Sequence, residues 1–170
     1  MGDEEYKEII KVLFMQIKDI VFSEEVLRTF NDEIEKYGEL ESGGVLIGYV
    51  EKSTMYIDKA SDGGPNAIHE CMYFRADPLY VDMYIDMEIA NSSSKYRYIG
   101  EWHTHSQVFP EPSDVDLNSI KEIAESSSDF SVLLIIGTSN FKLKKICDHS
   151  ISLICYKDLE GFFMLKNRVK

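Results

Sequence analysis

G-E-W-H-T-H-S-Q-V-F-P-E-P-S-D-V-D, residues Gly100 to Asp116, follows the β-like run Tyr96-Arg97-Tyr98-Ile99. Side chains on a strand alternate between faces, so His103 and His105 point the same way and form half of a metal site. Two imidazoles a few ångströms apart suit a borderline ion such as zinc. Pro112-Ser113-Asp114-Val115-Asp116 then reads as a helix start. Ser113 is a good N-cap, and Asp114 and Asp116 suit the positive end of the helix dipole. A carboxylate on that rigid turn can face back toward the histidines. The expected ligand set is His103, His105 and Asp116, with a fourth position left for water.

Working outward, Trp102 alternates away from the histidines and is expected in the core. Glu101 shares the histidine face, either as a carboxylate that orients an imidazole or as an exposed or structurally paired glutamate. Far upstream, Glu41-Ser42-Gly43-Gly44-Val45-Leu46-Ile47-Gly48 places a glutamate just before a glycine pair and an apolar run. Glycines there allow close backbone approach or unusual dihedrals where a strand begins. Metal-assisted amide hydrolysis needs a base that is not itself a ligand, and Glu41 is the candidate.

Taken together, E-x-G-G-x-L-x-G, H-x-H and P-S-x-x-D resemble the JAMM (JAB, MPN-plus) zinc metallopeptidase family, over roughly residues 20 to 140. The resemblance implies a single α/β domain across residues 1–170, a mixed, mostly antiparallel sheet flanked by helices. It implies one Zn²⁺ per chain on His103, His105 and Asp116, with Glu41 as general acid/base and Ser113 steadying the oxyanion. It implies hydrolysis of peptide or isopeptide bonds after the C-terminal glycine of a ubiquitin-like protein. The small size and the E-W-H-T-H run resemble the bacterial JAB peptidases of CBASS defence operons, with a nucleotidyltransferase conjugate among the candidate targets. Trimming of a sulfur-carrier protein and a non-catalytic MPN scaffold stay open as alternatives. One departure is Ser106, where the family usually has proline; this puts the rigidity of the following loop in question. A zinc deaminase is excluded because neither P-C-x-x-C nor H-x-E occurs.

Composition agrees with an ordinary globular chain of 170 residues, 44% hydrophobic and 28% charged. A net charge of −12 argues against nucleic acid or an anionic membrane as partner. The basic cluster Lys142, Lys144 and Lys145 reads as a solvated edge. Cys71, Cys147 and Cys155 make a poor disulfide framework, which points to a reducing cytoplasm. The start Met1-Gly2-Asp3-Glu4-Glu5 is acidic where a signal peptide would be basic, and Tyr6 stands where a myristoylation signal needs Ser or Thr. Ile9 to Phe22 is broken by Lys11, Gln16, Lys18 and Asp19 and cannot span a bilayer.

The remaining elements follow from periodicity. Residues 6–18 fit either a helix or a strand, and Ile20 to Phe22 reads as a strand. Ser23 caps a helix over 24–37 that ends at Gly38, with Val26, Leu27, Phe30, Ile34 and Tyr37 as its buried stripe. Strands are expected at Val45 to Val50 and Met55 to Lys59, a loop over Ser61 to Glu70, and extended chain at Tyr73 to Arg75. His69 and Cys71 read as structural or solvent-exposed rather than as a second metal site. The resemblance places near them an insertion that clamps the ubiquitin-like tail. Asp77-Pro78 starts a helix with Val81, Ile85 and Ile89 repeating every four residues. Beyond the 106–111 loop come a helix from Asp114 to about Ser126, with Val115, Ile120 and Ile123 apolar, and a buried strand at Ser131 to Gly137. Further strands are expected at Phe141 to Cys147, Ile151 to Tyr156 and Phe162 to Lys166, with His149 in a turn.

Overall fold

The computed structural model describes residues 17–127, 130–139, 150–157, 161–164 and 168–169. The helix-or-strand reading of 6–18 before residue 17, the strand at Phe141 to Cys147, the lysine cluster and His149 lie outside these residues. In chain order the elements are β1 (Asp19–Phe22), α1 (Glu24–Tyr37), β2 (Gly43–Glu51), β3 (Thr54–Ala60), β4 (Ile68–Glu70) and β5 (Tyr73–Arg75). Then come α2 (Pro78–Asn91), β6 (Arg97–His105), α3 (Asp114–Ser127), β7 (Phe130–Gly137), β8 (Ile151–Lys157), β9 (Gly161–Met164) and β10 (Arg168–Val169).

Eight strands form one mixed sheet in the order β10-β1-β3-β2-β6-β7-β8-β9, and β4 and β5 pair separately as a hairpin. The central strand β6 runs antiparallel to β2 and parallel to β7. The expected α/β class with a mixed, mostly antiparallel sheet and flanking helices is what the chain adopts.

Each helix forms for a local reason. The Ser23 side chain accepts from the Val26 amide at 3.1 Å, Glu24 and Glu25 occupy the first turn, and the Gly38 amide returns to the Ile34 carbonyl at 2.9 Å. Val26 and Phe30 of α1 are fully buried against the sheet, where Phe30 packs on Trp102 with ring centroids 4.5 Å apart. Tyr37 is half-buried rather than in the core, because its ring stacks on His69 at 3.6 Å. The continuous apolar run of β7 has a simple cause. Val132, Leu134 and Ile136 join the main core with α1, while Leu133 and Ile135 face Ile120 and Ala124 of α3. Both faces of this strand are covered, so neither needs polar residues.

One expectation needs correction, and two helices carry apolar positions that the packing leaves uncovered. The 61–70 loop ends in β4, which pairs with β5 from Ile68↔Arg75 to Glu70↔Tyr73. Three-residue strands are too short for alternation to reveal. On α2 no side chain is fully buried; Val81, Ile85 and Ile89 are half-buried, and Leu79, Met83 and Met87 form a second, exposed stripe on the opposite face. On α3, Val115 is 67% exposed, and the buried positions are Ile120 and Ala124.

The glycine pair opens β2, and close approach is the reason for it. A Cβ on Gly43 would sit 2.1 Å from the Trp102 carbonyl oxygen, and one on Gly44 would sit 2.2 Å from that of Ser61. Both obstacles are backbone atoms, so a side chain cannot be accommodated by a rotamer change. Gly43→Ala is expected to destabilise the protein by about 2 kcal/mol or more. In a thermal melt this appears as a drop of roughly 4–8 °C, and an unchanged midpoint would contradict the packing described.

Candidate metal centre

His103 and His105 end β6 on the face covered by α2 and α3. Their Nε2 atoms stand 3.0 Å apart. Asp116, from the first turn of α3, completes the triangle: Oδ1 lies 3.3 Å from His103 Nε2, and Oδ2 lies 3.4 Å from His105 Nε2. A tetrahedral ion with bonds of 2.0–2.1 Å holds its ligands ~3.3 Å from one another. The three edges found here match that figure, so these residues fit a zinc-sized cation. The donor types, two imidazoles and a carboxylate, suit the same ion. Among the described residues this is the one His/Cys/Asp/Glu group close enough to share an ion.

Local structure aims Asp116. The Ser113 amide and hydroxyl both donate to Asp116 Oδ2 at 2.7 Å, and the Asp116 amide donates to Ser113 Oγ at 3.2 Å. This is a capping box, so the bonds that start α3 also orient the ligand. Burial works against the Asp116 charge. Hydrogen bonds from His103, His105 and the Ser113 backbone overcome it and hold the carboxyl well below the usual range.

Glu41 arrives from the other side, just before β2, with Oε1 3.7 Å from His105 Nε2. Burial pushes its carboxyl above the usual range, against the pull of His105 and His103. Four contacts fix its backbone and that of Ser42. The Glu41 amide donates to the Glu70 carbonyl at 2.8 Å, and His69 Nδ1 lies 3.0 Å from the Glu41 carbonyl. Next door, the Ser42 amide donates to Thr104 Oγ1 at 2.9 Å, and the Thr104 amide returns to the Ser42 carbonyl at 2.8 Å. The Ser42 hydroxyl donates to the buried carboxylate of Glu33 on α1.

The structure brings the five expected residues together, and their supports lie outside the sequence motifs. His69 is structural, as expected, and its specific task is to hold the Glu41 backbone. Glu33 was hidden among the polar positions of α1, and only its burial gives it away. The loop after His105 is tied down without the proline that Ser106 replaces. The His105 carbonyl accepts from the Gln107 amide at 2.8 Å and from the Thr138 amide at 2.9 Å. Glu101 does share the histidine face, and burial raises its carboxyl against the opposing influence of His103. Cys71 is an exposed free thiol at the hairpin tip.

Glu41, His103, His105, Ser113 and Asp116 line a groove of about 1120 Å³, bounded by the β4–β5 hairpin, α2, the 106–111 loop and α3. Removing the acceptor beneath it strands the Ser42 hydroxyl in the core. Glu33→Ala should cost about 1–3 kcal/mol in a denaturant titration, whereas Glu33→Gln, which keeps an acceptor, should lose less. Equal losses would mean that this hydrogen bond does not matter.

Comparison with known proteins agrees with this geometry. A family model described as prokaryotic homologs of the JAB domain matches residues 23–147. The chain is 27% identical over 127 residues to a CD-NTase/cGAS isopeptidase of Escherichia coli, covering 74% of this chain and 80% of that one. It is 32% identical over 111 residues to a probable metalloprotease of Sinorhizobium fredii, covering 64% and 68% respectively. The solution structure of protein DSY2949 from Desulfitobacterium hafniense superposes with a TM-score of 0.60 at 15% identity, over 89% of this chain and 92% of that one, a likeness of fold alone. With the motif residues gathered in one groove and the family model spanning the strands and helix that carry them, this chain belongs to the prokaryotic JAB-domain family.

Proposed function

We propose that this chain is a zinc-dependent isopeptidase or peptidase, one catalytic domain over residues 1–170, which cleaves after the C-terminal glycine of a ubiquitin-like protein or its conjugate. The observation that carries the reading is the convergence of Glu41 on the His103–His105–Asp116 triangle from a separate strand. A scaffold has no need of that convergence. The relatives named as a CD-NTase/cGAS isopeptidase and a probable metalloprotease support the same chemistry. They favour deconjugation of a nucleotidyltransferase in antiphage defence over sulfur-carrier trimming. No described helix is long and apolar enough to cross a membrane. The three cysteines of the sequence make a poor disulfide framework, which favours the cytoplasm.

His103, His105 and Asp116 would hold the ion, which when bound polarises the scissile carbonyl and acidifies water. Glu41 takes the proton from the attacking water and returns it to the leaving nitrogen. Its raised carboxyl suits a group that must both accept and donate near neutral pH. Ser113 keeps Asp116 in place, and its hydroxyl serves the developing oxyanion by turning away from Asp116 Oδ2. Such a donor is usually worth ~3 kcal/mol. The extended tail lies along the groove and reaches the edge of the β4–β5 hairpin, where main-chain hydrogen bonds can hold it.

Glu41→Gln should keep stoichiometric zinc while turnover falls by about 10²- to 10⁴-fold. His103→Ala or Asp116→Ala should lose the metal itself. Metal analysis of the purified variants alongside a cleavage assay separates the two, and a Glu41→Gln variant that still turns over would remove Glu41 from its role. Zinc affinity should also depend on pH. Burial lowers the His105 pKa, but the Asp116 hydrogen bond and the charges of Glu41 and Asp116 outweigh it and leave it raised. The ring therefore keeps its proton to a higher pH than a free imidazole, and zinc must displace that proton. Below the raised pKa, affinity in a chelator competition should weaken by about tenfold per pH unit per proton displaced. A flat profile from pH 5 to 8 would count against this ligand set.

A further inference from the structure

We infer that the inner end of the groove, built on Glu101 and Ser131, is a subsite for a basic side chain of the substrate, two residues from the scissile bond. The inference rests on the peptidase reading above and adds a substrate class to it, a tail that carries arginine or lysine at a set spacing.

Glu101 and His103 lie on one face of β6, paired respectively with Leu133 and Ile135 of β7. Two strand residues span ~6.6 Å, which is also the reach of two residues of an extended peptide. A tail whose terminal carbonyl sits at His103 thus brings the side chain two residues away over Glu101. The Glu101 carboxylate lines the groove and is half-buried, and no described residue gives it a hydrogen bond or a lysine or arginine partner. Beside it, at the start of β7, Ser131 is 1% exposed and its hydroxyl has no hydrogen-bond partner among the described residues. Ser131 lies next to the Tyr98 hydroxyl, and burial together with the charge of Glu101 pushes that phenol well above its usual range. Two polar groups facing one cavity, one acidic and one orphaned, call for a donor from outside the chain.

The walls agree with that donor. Val45 and Leu133, the strand neighbours of Glu101, line the groove with Val81 and Ile120 and suit the methylene stem of a long basic side chain. Charge agrees as well. Among the described residues, Glu41, Glu101, Glu111, Asp116 and Glu122 line the groove against Arg75 as its one Lys or Arg. A bound divalent cation leaves this balance acidic, so a basic segment is steered in and an acidic one is repelled. The competing reading is that Glu101 serves only the electrostatics of His103, in which case the identity of the substrate residue would not matter.

The test uses fluorescent tail peptides ending in glycine, with arginine, neutral citrulline or glutamate two residues before that glycine. A second series carries the same residues at matched spacing on the leaving side. Binding is read by anisotropy with zinc-free and zinc-loaded protein, and cleavage is read on the corresponding extended peptides. In one of the two series, arginine should bind about tenfold or more tighter than citrulline, with glutamate weakest. Glu101→Gln should bring the arginine-to-citrulline ratio close to one, and Ser131→Ala should reduce it several-fold. A ratio near one in both series for the unmodified protein, or a ratio that survives Glu101→Gln, overturns the proposal. The peptide comparison on the unmodified protein stands even if a variant fails to fold. Arginine preference in binding without cleavage would sink the peptidase reading and leave the subsite standing. Cleavage indifferent to arginine would do the reverse.

Discussion

The pairing of Gly43 with His103, where β2 meets β6, is the close backbone approach on which the site depends. Only a residue without a Cβ lets the two chains come this near, because a side chain would run into the Trp102 carbonyl and the His103 backbone. The ladder from Gly43 through Val45 sets the register that delivers Glu41 beside His105. Ser42 and Thr104 extend that ladder by one further exchange of hydrogen bonds. Glu41 and the two histidines thus belong to one rigid element, although 62 positions of chain separate Ser42 from Thr104.

Around this junction the fold divides its labour between two faces. Trp102 and Thr104 point into the sheet side that α1 covers, where Trp102 packs on Phe30 and its Nε1–H donates to the Ser61 carbonyl at 2.9 Å. His103 and His105 point to the other side. A strand with one face locked in a dense core presents its opposite side chains with little freedom, which is what a metal site requires. The buried Glu33 gives the same service to Ser42. Such an acid is costly unless satisfied, and its hydrogen bond to the Ser42 hydroxyl ties α1 to the segment that carries Glu41.

The groove walls are held less tightly than its floor. The hairpin rim carries Met72 at 90% exposure, and α2 buries none of its side chains fully. Central strands therefore hold the reacting groups, while elements that contribute little to the core shape the approach. That division suits an enzyme whose chemistry stays constant while its substrate surface varies.

Much of this was legible in the residues themselves. H-x-H on a strand, Ser113 and Asp116 as a capping box, and Ser23 and Asp77 as helix caps are short-range patterns. Their geometry follows from alternation or from one turn of helix, so spacing alone determines them. The apolar run of β7 likewise announced a strand buried on both faces. Other features depended on contacts between distant segments. A glycine pair looks the same whether it turns the chain or lets two strands touch, and only the Gly43–His103 pairing decides between them. Nothing local marks Glu33 as buried, His69 as a stacking partner of Tyr37, or α2 as a helix with an uncovered apolar stripe. Burial is a property of what packs against a residue, and one-dimensional spacing carries no record of that.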